Sequence, residues 1–126
     1  AREGQPNPVF GDGNQSRSFT YVGDVVRGLL GLVEQPKAVG QVFNIGNGEE
    51  ISIRALAERV KALTKSSSPI VTIPYDQAYE AGFEDMPRRV PDLTKIRRFI
   101  GYEPRVQLQE ILTRVIDHFQ RTVRFA

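Results

Sequence analysis

Val9-Phe10-Gly11-Asp12-Gly13-Asn14-Gln15-Ser16-Arg17-Ser18-Phe19-Thr20-Tyr21-Val22 holds two short apolar runs flanking a turn-rich segment, with one arginine where the second run begins. Gly11, Asp12, Gly13 and Asn14 all tolerate positive φ, so the stretch predicts a tight reversal between two strands. In an extended second run, Arg17, Phe19 and Tyr21 share one face while Ser18, Thr20 and Val22 take the other. That face sets a planar, two-pronged cation suited to phosphate or carboxylate beside two aromatic rings. The same residues equally fit a core strand in which Phe19 and Tyr21 are buried and Arg17 threads past them to solvent. The chemistry of the stretch leaves both readings open.

The chain around it has 126 residues, enough for one domain with a modest core. Hydrophobic residues make up 40% and charged residues 25%, a globular profile. With 17 Lys and Arg against 15 Asp and Glu, the formal charge is only +2, which argues against a nucleic-acid or membrane partner. Zero cysteines exclude a disulfide framework and thiolate metal sites, and fit a cytoplasmic location. No apolar run approaches the roughly 20 residues of a membrane span. The polar opening Ala1-Arg2-Glu3-Gly4 lacks a signal-peptide core, and the only methionine is Met86, as expected of a fragment, a processed form or a trimmed chain.

Helical spacing recurs in Val22, Val25, Val26, Leu29, Leu30 and Val33, with Asp24 as the expected cap and Pro36 as the stop. Gln41 to Ile45 reads as a strand, followed by the turn Gly46-Asn47-Gly48. Ser52 is placed to cap a helix carrying Ile53, Leu56, Ala57, Val60 and Leu63, and Ile70 to Ile73 reads as a further strand. From Tyr75 to Pro91 the periodicity is weak. Asp92 then caps a short helix that stops at Gly101, and a last helix carries the stripe Leu108, Ile111, Leu112, Val115, Ile116 and Phe119.

Two glycine turns invite comparison with a dinucleotide fingerprint, and neither matches. Gly11-Asp12-Gly13 lacks the third glycine and leads into a strand, where the fingerprint needs a helix N-terminus. Gly46-Asn47-Gly48 also lacks it and puts Glu49 and Glu50 where a phosphate would sit. His118 is the only histidine, so histidine triads and multi-histidine metal sites are excluded. Glu84 and Asp85 read as a solvated acidic patch. Arg88-Arg89-Val90-Pro91-Asp92 is different, because Pro91 disfavours helix at Val90 and leaves an arginine pair on irregular backbone ahead of a capped helix. Such a pair suits a diphosphate, or else ion-pairs with Glu84, Asp85 or Asp92. Arg17 strengthens the diphosphate reading, since two distant segments then offer guanidinium groups to two phosphates.

Four ordered motifs, Val9-Phe10-Gly11-Asp12-Gly13, Gln15-Ser16-Arg17-Ser18-Phe19, Val42-Phe43-Asn44-Ile45-Gly46 and Arg88-Arg89-Val90-Pro91-Asp92, resemble the C-terminal half of the extended short-chain dehydrogenase/reductase family. These are NAD-dependent nucleotide-sugar epimerases, 4,6-dehydratases and UDP-glucuronate decarboxylases. The resemblance runs from Gly4 to Phe119. It implies an α+β fold: the small mixed substrate-binding part of a Rossmann-type two-domain enzyme, with the Rossmann domain absent. It further implies that Val9 and Phe10 lie against the base, that Arg17 and Arg89 hold the diphosphate with Arg88 able to share the latter role, and that Asp92 sits near the ribose. At Gly23 the family usually carries an acidic residue.

The family's catalytic Tyr-x-x-x-Lys and NAD loop belong to the absent half, so no catalytic residue is expected here. NAD is expected in the full-length parent but not on this chain alone. Residues 1–126 are then one C-terminal substrate-binding domain or fragment, with segment 18–48 packing on the missing nucleotide-binding domain. The partners expected are a UDP- or dTDP-sugar, and either further copies of the chain or the Rossmann half. The competing reading is a stand-alone, non-catalytic binding or assembly module of the same fold.

Overall fold

A computed structural model describes residues 4–78, 80 and 85–122. Along the chain it contains β1 (Asn7–Phe10), β2 (Ser16–Ser18), α1 (Val22–Val33), a 3-10 turn (Pro36–Ala38), β3 (Glu50–Ser52), α2 (Ile53–Leu63), β4 (Ile70–Ile73), α3 (Tyr75–Ala78), β5 (Arg88–Arg89), α4 (Thr94–Ile100) and α5 (Leu108–Thr122). These form two compact units, each assembled from two separated stretches: Ala1–Arg17 with Ile51–Arg89, and Ser18–Glu50 with Val90–Ala126.

In the first unit β1 and β2 do not form the expected hairpin. β1 pairs in parallel with β4, from Asn7 opposite Ile70 to Phe10 opposite Ile73. β2 lies in a second sheet of order β3-β2-β5, where it runs parallel to β5. The segment between them turns through Gly11 and Gly13, at φ +71° and +78°, and the Asp12 carboxylate accepts from the Asn14 amide at 2.8 Å. Its carbonyls then serve a different purpose from hairpin closure. Gln15 O and Gly13 O accept from Ile53 N and Arg54 N, both at 3.0 Å, while Ser52 Oγ accepts from Ala55 N at 3.2 Å. The otherwise orphaned first amides of α2 are thereby satisfied, partly by the cap expected from the sequence and partly by a turn some 40 residues away (Arg54 to Gly13).

The second unit is built on Leu93, Ile96 and Tyr102, with Leu32, Phe43, Ile45 and Ile100 packed against them. Tyr102 lies so close to α1 that a Cβ at Gly28 would meet its ring at 3.1 Å, and its hydroxyl donates to Gly46 O at 2.9 Å. Gly101 ends α4 in the left-handed conformation, at φ +63°, as its position predicts.

Two further expectations are corrected here. Residues 41–45 form no strand: Phe43 packs edge-on to Phe99 at 4.9 Å, and Lys95 Nζ donates to Val42 O, so α4 takes the contacts a ladder would. Asp24 does not cap α1, which starts at Val22 behind Tyr21. Asp24 is instead buried, at 3% exposure, and accepts from Arg105 N at 2.9 Å and Val106 N at 3.0 Å as well as from Arg27 Nη2. The apolar stripe expected of α1 is present and is turned outward. Val22, Val26, Leu29, Leu30 and Val33 are exposed, whereas Asp24 and Gly28 are buried.

Candidate functional site

β2 ends at Ser18, so strict alternation does not carry Arg17, Phe19 and Tyr21 onto one strand face. Tyr21 precedes α1 and lies under the Arg114 guanidinium, 4.7 Å from ring centre to cation. The surroundings of Arg17 come instead from the first unit. Its Nη1 donates to Ser16 O at 2.6 Å and Met86 O at 2.8 Å, and its Nη2 pairs with Asp85 Oδ1 at 2.5 Å. The other oxygen of Asp85 accepts from the Tyr75 hydroxyl at 3.2 Å. Burial, followed by the hydrogen bond and charge of Asp85, pushes the Tyr75 phenol above its ordinary value.

These side chains line a cavity of about 200 Å³ together with Phe10 and Gln15. Gln15 donates through Nε2 to Phe10 O at 2.8 Å, which fixes the amide orientation, and its buried Oε1 has no hydrogen-bond partner among the described residues. Tyr75 is seated by Gly11, where any Cβ would fall 2.6 Å from the ring. Phe10 is 37% exposed, whereas Val9 is 2% exposed and packs toward Gly13.

The arginine pair is separated by the ladder. Ser16 stands opposite Arg88 and Arg17 opposite Arg89. Register partners in parallel strands project to the same side, so Arg17 and Arg89 share one face while Arg88 takes the other. Both Arg88 and Arg89 are exposed. The sequence could not distinguish them; the register does.

Asp92 belongs to the second unit and is exposed. Its Oδ1 accepts from Thr94 N at 2.9 Å, and the hydrogen bonds from Thr94 hold its carboxyl below the ordinary value. Of the acidic patch expected at Glu84 and Asp85, Glu84 lies outside the described residues, and Asp85 is not solvated but ion-paired with Arg17. His118 is exposed on α5 beside Phe119. Among the described residues no group of three or more His, Cys, Asp or Glu side chains could hold a metal ion. Nor is any described helix long and apolar enough to cross a membrane.

Neither glycine turn fits NAD. Gly11 to Gly13 leads to a strand, and the Gly13 carbonyl is committed to α2. In the other, Asn47 Oδ1 accepts from Glu49 N at 2.9 Å and Glu49 Oε2 from Leu108 N at 2.8 Å. A loop already filled by its own carboxylate and carboxamide is no cradle for a pyrophosphate. Tyr75, Asp85 and Gln15, which line the cavity with Arg17, are not among the site residues expected from the sequence: the aperiodic stretch from Tyr75 to Pro91 carries no pattern to mark the first two, and Gln15 is marked only by its place two residues before Arg17.

Comparison with known proteins gives the setting of this geometry. Residues 1–115 match the family model described as GDP-mannose 4,6 dehydratase. A UDP-N-acetyl-alpha-D-glucosaminuronate decarboxylase from Bacillus cytotoxicus is 38% identical over 120 residues, covering 95% of this chain and 37% of the relative. UDP-glucuronic acid decarboxylase 1 of Danio rerio is 37% identical over 121 residues, covering 96% of this chain and 27% of the relative. Among solved structures, an epimerase from Methanothermobacter thermautotrophicus superposes with a TM-score of 0.83 at 32% identity, over 93% of this chain and 33% of that one. UDP-glucuronic acid 4-epimerase from Bacillus cereus, solved with UDP-glucuronic acid and NAD, gives a TM-score of 0.83 at 27% identity, over 97% of this chain and 37% of that one. The chain thus spans about a third of the length of the proteins it matches.

Proposed function

The chain belongs to the GDP-mannose 4,6 dehydratase family, and on that premise we propose that it is the nucleotide-sugar-binding portion of an NAD-dependent enzyme that epimerises, dehydrates or decarboxylates a UDP- or dTDP-sugar by transient oxidation of the sugar. Phe10 lies against the base, and Arg17 and Arg89 hold the diphosphate from adjacent strands. NAD supplies the hydride acceptor when bound to the parent enzyme; no residue of this chain is assigned to that step, and the chain alone catalyses nothing.

The observation that carries this reading is the pairing of Arg17 with Arg89 in the β2–β5 ladder. Two guanidinium groups on one face of neighbouring strands stand about 5 Å apart at their origins, a spacing that matches two linked phosphates. The cavity that Arg17 shares with Phe10 supports it further, by setting an aromatic ring within one pocket of the cation. Calorimetric titration of UDP tests the assignment. Arg17→Ala and Arg89→Ala should each weaken binding about tenfold or more, the loss of one charge-assisted contact. Arg88→Ala should weaken it less than Arg89→Ala. Absence of UDP binding to the unsubstituted chain, or equal losses at Arg88 and Arg89, would defeat the reading.

The same reading assigns segment 18–48 to an interface with a nucleotide-binding domain, or with another copy of the chain. The outward stripe of α1 supports this, as do exposed Val39 and Val42 beyond it; Val33 alone is 84% exposed. A run of aliphatic side chains this continuous is unusual on a surface that stays in water.

A further inference from the structure

We propose that Asp85 is an intramolecular occupant of the phosphate position at Arg17: its carboxylate holds the guanidinium in the ligand-free chain, and an incoming diphosphate displaces it. The inference rests on the reading of Arg17 given above and adds a self-inhibitory contact to it.

The donor accounting of Arg17 leads to this. Nη1 is committed to two peptide carbonyls, Ser16 O and Met86 O, whose positions are fixed by β2 and by the approach to β5. Among the described residues the bond from Nη2 to Asp85 is the one it makes to a side chain, and so the one a ligand can replace without disturbing the backbone. A carboxylate is also the nearest protein equivalent of a phosphate, an anion offering acceptor oxygens to the same fork. Asp85 does not swing freely there. Its second oxygen is held by the Tyr75 hydroxyl, and the Tyr75 ring is seated against Gly11, so the carboxylate is braced over the cation from a rigid turn. All three side chains face the same cavity.

A phosphate approaching Arg17 with Asp85 in place brings two anions to within about 4 Å, which even at water-like screening lowers affinity about fivefold. Neutralising Asp85 removes that competition while keeping an acceptor for Nη2. The test is a calorimetric titration of UDP, and separately of inorganic pyrophosphate, into the unsubstituted chain, Asp85→Asn and Tyr75→Phe at one low salt concentration. Asp85→Asn should bind both ligands about fivefold more tightly or better, Tyr75→Phe should show a smaller gain in the same direction, and added salt should narrow the difference. Asp85→Ser serves in place of Asp85→Asn where the amide disturbs the fold. UDP binding by the unsubstituted chain, with no gain or a loss in Asp85→Asn, would overturn the inference and leave the assignment of Arg17 standing. A loss would show that Asp85 positions Arg17 for phosphate. Failure of every one of these proteins to bind UDP would overturn both.

Discussion

Replacing Asp24 by alanine should be among the most damaging single changes available outside the hydrophobic cluster. The carboxylate is buried and accepts three hydrogen bonds, from the amides of Arg105 and Val106 and from Arg27. Alanine leaves both amides without this acceptor; at about 1–3 kcal/mol for each donor so stranded, the expected loss is about 2–6 kcal/mol. Arg27→Ala should cost at least about 1 kcal/mol less, because the Arg27 side chain is 31% exposed and its removal leaves both amides paired. Guanidinium unfolding at constant m-value measures the two losses, and hydrogen exchange at Arg105 and Val106 should accelerate in Asp24→Ala alone.

The pH dependence follows with a definite sign. Burial by itself raises the carboxyl, but the donors from Val106, Arg27 and Arg105 outweigh it and hold Asp24 below its ordinary value. A depressed folded-state value contributes stability that is complete above the ordinary carboxylate range near pH 4, and is lost as pH falls through the lower folded value. Asp24→Ala should therefore remove part of the acid-unfolding limb. A loss under about 1 kcal/mol, or one equal to that of Arg27→Ala, would refute the argument, since the two amides would then have found other partners at no cost.

Two further outcomes follow. Gly11→Ala should destabilise the first unit by about 1–3 kcal/mol, since Gly11 combines φ +71° with a Tyr75 ring 2.6 Å from any Cβ; it should weaken UDP binding as well, and an unchanged melting temperature would contradict the steric account. Leu30→Lys should lower any concentration-dependent association seen by light scattering without lowering stability, because Leu30 is exposed; an unsubstituted chain that stays monomeric at high concentration would count against the α1 stripe as an interface.

What could be read from the sequence was mostly local. Ser52 was legible as a cap because its partner, Ala55 N, lies within one helical turn, and Gly101 because a helix end in the left-handed region favours glycine. β4 declared itself as four β-branched residues between turn signals. The misreadings share a cause. Nothing within Val9 to Val22 states that β1 will choose β4 and β2 will choose β5, since parallel partners are set by pairings across dozens of residues. Asp24 looked like a cap because its local setting fits one; the amides that claim it are 81 and 82 residues away. Helical periodicity correctly found the apolar stripe of α1 but says nothing of which neighbour will cover it. At the site, Arg17 was visible as a lone cation at a strand start, whereas Asp85 and Tyr75 gained meaning only once the fold had brought them to it.

The interleaving of the two units has a consequence for synthesis. As the chain leaves a ribosome, the stretch ending at Arg17 must wait for Ile51–Arg89 before its unit can close, and Ser18–Glu50 waits for Val90 onward. The Ser18–Glu50 stretch, which carries α1, therefore stays without the other half of its unit while some forty residues are made, the interval in which a holding chaperone has most to grip. A nick after Arg89 would leave the first unit with both of its stretches joined through a long inserted loop, while the second would lose its buried tyrosine, its glycine stop and every ligand of its hidden aspartate except Arg27.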